Sequence, residues 1–360
     1  MITIKQKIKA VLLSAVLLSQ SALLSSCMGR GESDVHVFYY NYSDTYVTSV
    51  RAALDEEWMG RQLTYQNYDG NNNQTTQTEQ VKTAITKGAK MVLVNLVNTG
   101  SADAATAIVS SARGAGIPVI FFNREVPNDV VASYENCVFV GTDAAEAGHL
   151  QGEMIGEYLL EHYDEADLNG DGVISYILFK GEEGNNEAIY RTQYAVEDAN
   201  RLLSEAGKPK LAFYDPSNTS GYLVDQSGAW SATAANQYMT TALASYNDAN
   251  KNMIELVICN NDGMAEGAIT ALNTVGYNTG GEGGRTIPVF GVDATDAARN
   301  LIGAGKMAGT IKQDARGMAK VLAHLASNVM EEKPLLDGTE AYQMDADVAK
   351  IRIAYEKYLG

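Results

Sequence analysis

Residues 91–124 read MVLVNLVNTGSADAATAIVSSARGAGIPVIFFNR. Apolar, β-rich runs at 91–96 and 118–122 bracket residues 103–115, whose apolar positions recur at helical spacing, and glycines mark the turn that follows. A short strand, a helix and a second short strand predict a parallel pair joined by a helical crossover. The alternation extends in both directions. Further apolar runs lie at 35–40, 138–140, 173–179, 211–214, 256–259 and 287–291, and helical spacing recurs at 45–59, 75–87, 144–160, 188–206, 232–246, 264–275 and 315–329. Eight or more such strands exceed one doubly wound sheet, so two α/β lobes are expected, each a mostly parallel sheet flanked by helices. Ligands in such lobes gather at the carboxyl ends of the strands.

Those strand ends are polar. Asn41, Asp44 and Tyr46 follow the first run; Asn123 and Arg124 follow 118–122; Asn185, Glu187 and Arg191 follow 173–179. Asn260, Asn261 and Asp262 follow 256–259, Asp293 follows 287–291, and Gln313 and Asp314 follow Ile311. Carboxylates and amides can each bind two vicinal hydroxyls, and Arg offers forked donors. With Tyr46 and Trp230 as aromatic walls, this chemistry suits a sugar, whose rim is polar and whose C–H faces are apolar. Taken singly, an Asn or Asp at a strand end is a turn or helix-cap residue; the recurrence gives the pattern its weight.

Composition narrows the field. With 46% hydrophobic residues the chain is not a disordered one, and a net charge of −17 without a basic patch argues against nucleic acid as a partner. Lys5, Lys7 and Lys9 precede an apolar run at 10–24 that is shorter than the roughly 20 residues a membrane span needs. The run ends in Leu24-Ser25-Ser26-Cys27, which resembles a lipoprotein signal cut before a lipidated Cys27. Export is therefore expected, with attachment to the cell membrane through the lipid only. Cys137 and Cys259, inside apolar runs, are expected to be buried free thiols.

At 167–175 the sequence is Asp167-Leu168-Asn169-Gly170-Asp171-Gly172-Val173-Ile174-Ser175. Asp167, Asn169 and Asp171 at positions 1, 3 and 5, Gly172 at 6, the Val173 carbonyl at 7 and Ser175 at 9 match the start of an EF-hand calcium loop. Position 12 is Leu178, so the usual closing carboxylate is missing.

These segments together resemble the galactose/glucose-binding proteins of bacterial ABC sugar uptake, a family of type I periplasmic binding proteins. Phe121-Phe122-Asn123-Arg124-Glu125 is similar to that family's FFNKE segment, and Val140–Asp143, Asn260-Asn261-Asp262, 287–293 and Ala308-Gly309-Thr310 match likewise. The N-terminal reading gives a signal peptide at 1–26 with a lipidated Cys27 and tether at 27–34, and the resemblance implies an N-terminal lobe of 35–141 plus 312–344 and a C-terminal lobe of 142–311 plus 345–360. Three crossings would join the lobes, with one monosaccharide between them. It puts Asp44, Asn123, Arg191, Asn261 and Asp293 on hydroxyls, Tyr46 and Trp230 on the ring faces, and Glu255 in the calcium shell as the missing carboxylate. Asn185 stands where the family has His, Glu187 for Asp, Gln313 for Asn and Ser175 for a Gln calcium ligand. The implied activity is capture of glucose or galactose without chemistry, by a monomer that hands the sugar to an ABC permease. The competing readings are a receptor feeding a chemoreceptor or sensor, a nucleoside or autoinducer ligand on the same fold, and an exported glycoside hydrolase using Asp44, Glu187 and Asp293.

Overall fold

The computed structural model describes residues 33–360 except Gln62, Glu282 and Gly283; the signal run and Cys27 lie outside the described residues. Among the described residues there are two seven-stranded sheets. The first is built from β1 (Val35–Tyr39), β2 (Tyr65–Asp69), β3 (Met91–Val94), β4 (Val119–Phe122), β5 (Cys137–Gly141), β12 (Gln343–Met344) and β13 (Lys350–Arg352), in the order β12-β13-β5-β4-β3-β1-β2. The second holds β6 (Ser175–Lys180), β7 (Ala212–Phe213), β8 (Leu223–Val224), β9 (Leu256–Cys259), β10 (Val289–Asp293), β11 (Gly309–Gln313) and β14 (Tyr355–Tyr358), ordered β14-β11-β10-β9-β6-β7 with β8 also on β6. Pairing is parallel except at β12–β13 and β11–β14.

The central strands are buried along their whole length because helices cover both faces, as a parallel sheet requires. In the N-terminal lobe α1 (Thr45–Arg61) and α10 (Ala315–Met330) pack on one face through Val47, Leu54, Trp58, Met318 and Leu322. The helices α2 (Gln74–Thr86), α3 (Asp103–Ala115) and α4 (Asn128–Ala132) cover the other. In the C-terminal lobe α7 (Ala232–Ser245), α8 (Asp262–Thr274) and α9 (Asp296–Gly303) lie on one face, and α5 (Ala144–Ala166) and α6 (Asn186–Glu205) on the other. Gly148 and Gly152 let α5 seat against α6: a Cβ at either would stand 2.4 Å from a Tyr190 or Tyr194 carbonyl.

The chain crosses between sheets three times, after β5, after β11 and between β13 and β14. Two boundaries correct the expectation. β11 belongs to the second sheet, so the crossing follows Gln313, not residue 311. The stretch 345–352, expected in the C-terminal lobe, carries β13, which pairs with β5 in the first sheet. Lys350 anchors it there, its Nζ donating to Glu125 Oε1 at 2.7 Å and to the Val126 carbonyl at 2.8 Å. Cys137 and Cys259 are free and buried, one in each sheet, and burial pushes both thiols up, Cys137 to about 12. No helix among the described residues is long and apolar enough to cross a membrane.

Candidate functional site

Between the lobes, at the carboxyl ends of the strands, lies a small cavity. Asp44, Tyr46, Asn123, Asn185, Glu187, Arg191, Trp230, Asn261, Asp293 and Gln313 all line it, so the structure gathers every residue expected to face a sugar. Two lining residues were not singled out from sequence, Tyr40 and Arg124. Arg124 stood in the polar set after β4, and Tyr40 ends an apolar run, where an aromatic reads as core.

Several of these side chains hold the backbone and face the cavity at once. Asn185 and Asn261 cap α6 and α8, accepting the Ala188 and Met264 N–H groups at 2.9 Å. Asp44 accepts the Val47 N–H at 2.8 Å and the Tyr40 hydroxyl at 2.6 Å. The turn-and-cap reading and the ligand reading of these residues therefore describe the same atoms. Asn185 Nδ2 also donates to Thr99 Oγ1 of the other lobe at 3.1 Å, and Asn261 Nδ2 to the Trp230 carbonyl at 3.3 Å.

Arg191 is the hub of the site. Its Nη1 donates to the Asn260 carbonyl at 2.9 Å, and its Nη2 to Gln313 Oε1 at 3.2 Å and the Tyr355 hydroxyl at 2.8 Å. The Tyr355 oxygen also accepts the Thr142 hydroxyl at 2.7 Å. Thr142, Gln313 and Tyr355 sit at the first, second and third crossings, so one guanidinium ties the cavity to all three.

Four buried polar atoms at the cavity have no partner: Glu187 Oε2, Arg191 Nε, Asp293 Oδ2 and Gln313 Nε2. An orphaned buried donor or acceptor costs about 1–3 kcal/mol, so a set of two acceptors and two donors around one space calls for a polar ligand. Burial raises the Asp293 carboxyl well above its ordinary value; the Asp262 carboxylate adds to this, and Arg191 opposes it. Asp262 lies behind the cavity, fully buried, accepting the Thr310 hydroxyl at 2.6 Å and the Thr295 N–H at 2.8 Å. Three lining residues, Asn123, Trp230 and Asp293, have positive φ, at 64°, 55° and 130°.

The walls meet through direct contacts. Glu125 N–H donates to Glu187 Oε1 at 2.9 Å, Asn72 Nδ2 to the Ser227 carbonyl at 2.7 Å, and Arg124 pairs with Glu182. Both lobes thus close over the cavity.

The loop at 167–175 folds around its own oxygens. Asp167 accepts the Gly170 and Gly172 N–H groups at 2.8 and 2.9 Å, Asn169 Oδ1 accepts Asp171 N–H at 2.8 Å, and Asp171 accepts Val173 N–H at 2.8 Å. Glu255, fully buried, reaches in from beside β9 and accepts the Asn169 and Ser175 N–H groups at 3.1 and 2.9 Å. Burial raises its pKa, which those N–H groups lower and Asp167 raises further. The Ser175 hydroxyl donates to the Met253 carbonyl. Among the described residues no three Asp, Glu, His or Cys side chains are grouped to hold a metal by themselves. A cation here would have to draw also on the Asn169 amide and the Val173 carbonyl, which is the donor mixture calcium takes.

A family model described as a periplasmic binding protein domain matches residues 35–334. The chain is 32% identical over 334 residues to the D-galactose/methyl-galactoside binding periplasmic protein MglB of Haemophilus influenzae, covering 92% of each. It is 26% identical over 285 residues to the multiple sugar-binding periplasmic receptor ChvE of Rhizobium radiobacter, covering 76% of this chain and 71% of that one. Among solved structures, an ABC transporter solute binding protein from Bacillus halodurans with bound myo-inositol superposes with a TM-score of 0.67 at 25% identity, over 92% of this chain and 96% of that one. One from Clostridium phytofermentans with bound β-D-glucose gives 0.68 at 20% identity over 90% and 93%, a likeness of fold alone.

Proposed function

The chain belongs to the periplasmic binding protein family, and from that premise we propose that it is an extracytoplasmic lipoprotein that captures a monosaccharide between its lobes and delivers it to an ABC permease. The observation that carries this reading is the set of four unpartnered atoms, Glu187 Oε2, Arg191 Nε, Asp293 Oδ2 and Gln313 Nε2, around a cavity walled by Tyr46 and Trp230. Sugar hydroxyls both donate and accept, so one ring can satisfy all four. D-glucose and D-galactose are the first candidates.

The mechanism is capture without chemistry. Asp44, Tyr46 and Asn123 come from the N-terminal lobe and Glu187, Arg191, Trp230, Asn261 and Asp293 from the other, so a bound ring bridges both and favours the closed form by differential contact. A mismatched epimer leaves one buried group unpaired, at about 1–3 kcal/mol. The closed monomer then presents a joint surface to the permease or, in the alternative reading, to a chemoreceptor. Calcium, held by Asp167, Asn169, Asp171, the Val173 carbonyl, Ser175 and Glu255, would neutralise the buried Glu255 and pin this loop of the C-terminal lobe. Cys27 would carry the lipid.

The test is a titration of the chain from residue 28 with D-glucose, D-galactose and myo-inositol, followed by tryptophan fluorescence and calorimetry. Saturable binding of a hexose supports the reading and ranks the epimers. Silence with all three refutes it.

A further inference from the structure

We infer that Arg124 and Glu182 form a latch across the cleft that fixes the orientation of Trp230, an assignment that rests on the ligand reading above. Arg124, just after β4 in the N-terminal lobe, is 4% exposed. Its own lobe holds it: Nη1 donates to the Leu96 and Val97 carbonyls at 3.1 and 2.6 Å, and the guanidinium lies 4.3 Å over the Tyr40 ring. Nη2 is left pointing across the cleft, where it donates to Glu182 Oε2 of the C-terminal lobe. That same carboxylate oxygen accepts the Trp230 indole N–H at 3.4 Å.

Trp230 is an unusual wall. Its backbone is left-handed, which an aromatic residue rarely adopts. Its ring lies so close to Gly181 that a Cβ there would stand 2.1 Å from indole Cδ2. The indole is thus seated on one side by the bare backbone after β6 and on the other by a carboxylate that the opposite lobe holds. When the lobes part, Glu182 loses Arg124 and returns to water, and the indole loses its fixed acceptor. Closure and the orientation of the stacking wall are one event. Glu182 does not line the cavity, so it acts on the ligand through Trp230 and Arg124 and is a positioning residue.

Release of ligand must break this pair, while association begins with it open. The latch therefore sets the off-rate and leaves the on-rate alone. Glu182→Gln keeps the shape and an acceptor for the indole but removes the charge. In stopped-flow tryptophan fluorescence with D-galactose it is expected to raise the dissociation rate about tenfold with the association rate within about twofold. Arg124→Met should do the same, Arg124→Lys should restore part of the slow release, and the double variant Arg124→Met/Glu182→Gln should be no worse than either single one. A second readout needs no sugar: with one spin label per lobe, at Thr86 in α2 and Thr241 in α7, Glu182→Gln is expected to lower the closed fraction of the ligand-free protein severalfold. An unchanged lobe-distance distribution overturns the latch whether or not any sugar binds, and so do additive effects in the double variant or a change confined to the on-rate. Failure of wild type to bind D-glucose, D-galactose and myo-inositol alike overturns the ligand reading and leaves the lobe-distance test to decide the latch.

Discussion

Asp293→Asn should move affinity and stability in opposite directions. Asp293 is 5% exposed, its Oδ2 is unpartnered, and burial with Asp262 nearby raises its carboxyl well above the ordinary value, so ionising it in the ligand-free protein is costly. The substitution keeps shape and hydrogen-bonding capacity, and it leaves a side chain of the same size at the strained φ of 130°. A hydrogen bond to a charged group contributes about 1.5–3 kcal/mol, which is roughly a 10- to 150-fold loss of affinity at about 1.4 kcal/mol per tenfold. Removing the ionisable carboxyl should raise the stability of the ligand-free fold by about 1 kcal/mol, a melting shift of ~1–2 °C for a chain of this size. Calorimetric titration and melting of the same preparation read both. Unchanged affinity would remove Asp293 from the binding set. A fold weakened by several kcal/mol would refute the electrostatic argument, because the carboxylate would then be holding the structure together through Arg191.

Chelation of calcium should lower the melting temperature, since an ion at 100 times its Kd adds about 2.7 kcal/mol, and Asp171→Ala should abolish the response; a melting curve indifferent to both leaves the loop as a turn. Asp262 is pushed up to about 7 by burial, against an ordinary 3.8, so the folded protein keeps a proton that the unfolded chain releases. Its stabilisation is full below about pH 4 and is lost as pH rises to about 7; melting temperature should fall across that window, and Asp262→Asn should flatten the slope. Gly181→Ala should displace the Trp230 ring and weaken sugar binding about tenfold or more while the fold persists, checked by titration beside circular dichroism.

The architecture was legible because strands buried on both faces must be continuous apolar runs. β3, β4, β9 and β10 announce themselves in that way, and the helix α3 between β3 and β4 begins and ends where its spacing implies. The edges were not legible. β2, with the sequence YQNYD, is half-exposed and carries no apolar signal, and β13 is three residues long with a buried Lys350 whose partner, Glu125, is 225 residues away. That is why the third crossing was placed too early. The site was legible for the complementary reason: a strand that ends at a cleft must be followed by polar residues, and Asn123, Asn185, Asn261, Asp293 and Gln313 all are. Arg124 was legible as a polar residue after β4, but its pairing was not, because Glu182 sits on the other lobe and pairing across a cleft leaves no spacing to read. Glu255 is similar, a single carboxylate before an apolar strand that only the resemblance connected to the loop at 167–175.

The positive φ angles in the cavity bear on how the protein's specificity can evolve. At 123 the φ of 64° is left-handed and takes Asn, Asp or Gly at little cost, whereas at 293 the φ of 130° lies beyond that region and strains any residue but Gly, by about 1–3 kcal/mol. Position 230 already carries such strain for its indole, and relieving it with Gly would remove the wall. Selection for a new ligand is therefore channelled to cavity positions with ordinary backbone. Asn185 is extended at φ −88°, Glu187 lies in the first turn of α6, and Gln313 ends β11. Those three are among the cavity positions at which the resemblance implies a departure from the family. The strained backbone sites restrict which side chains they can carry, and the regular ones do not.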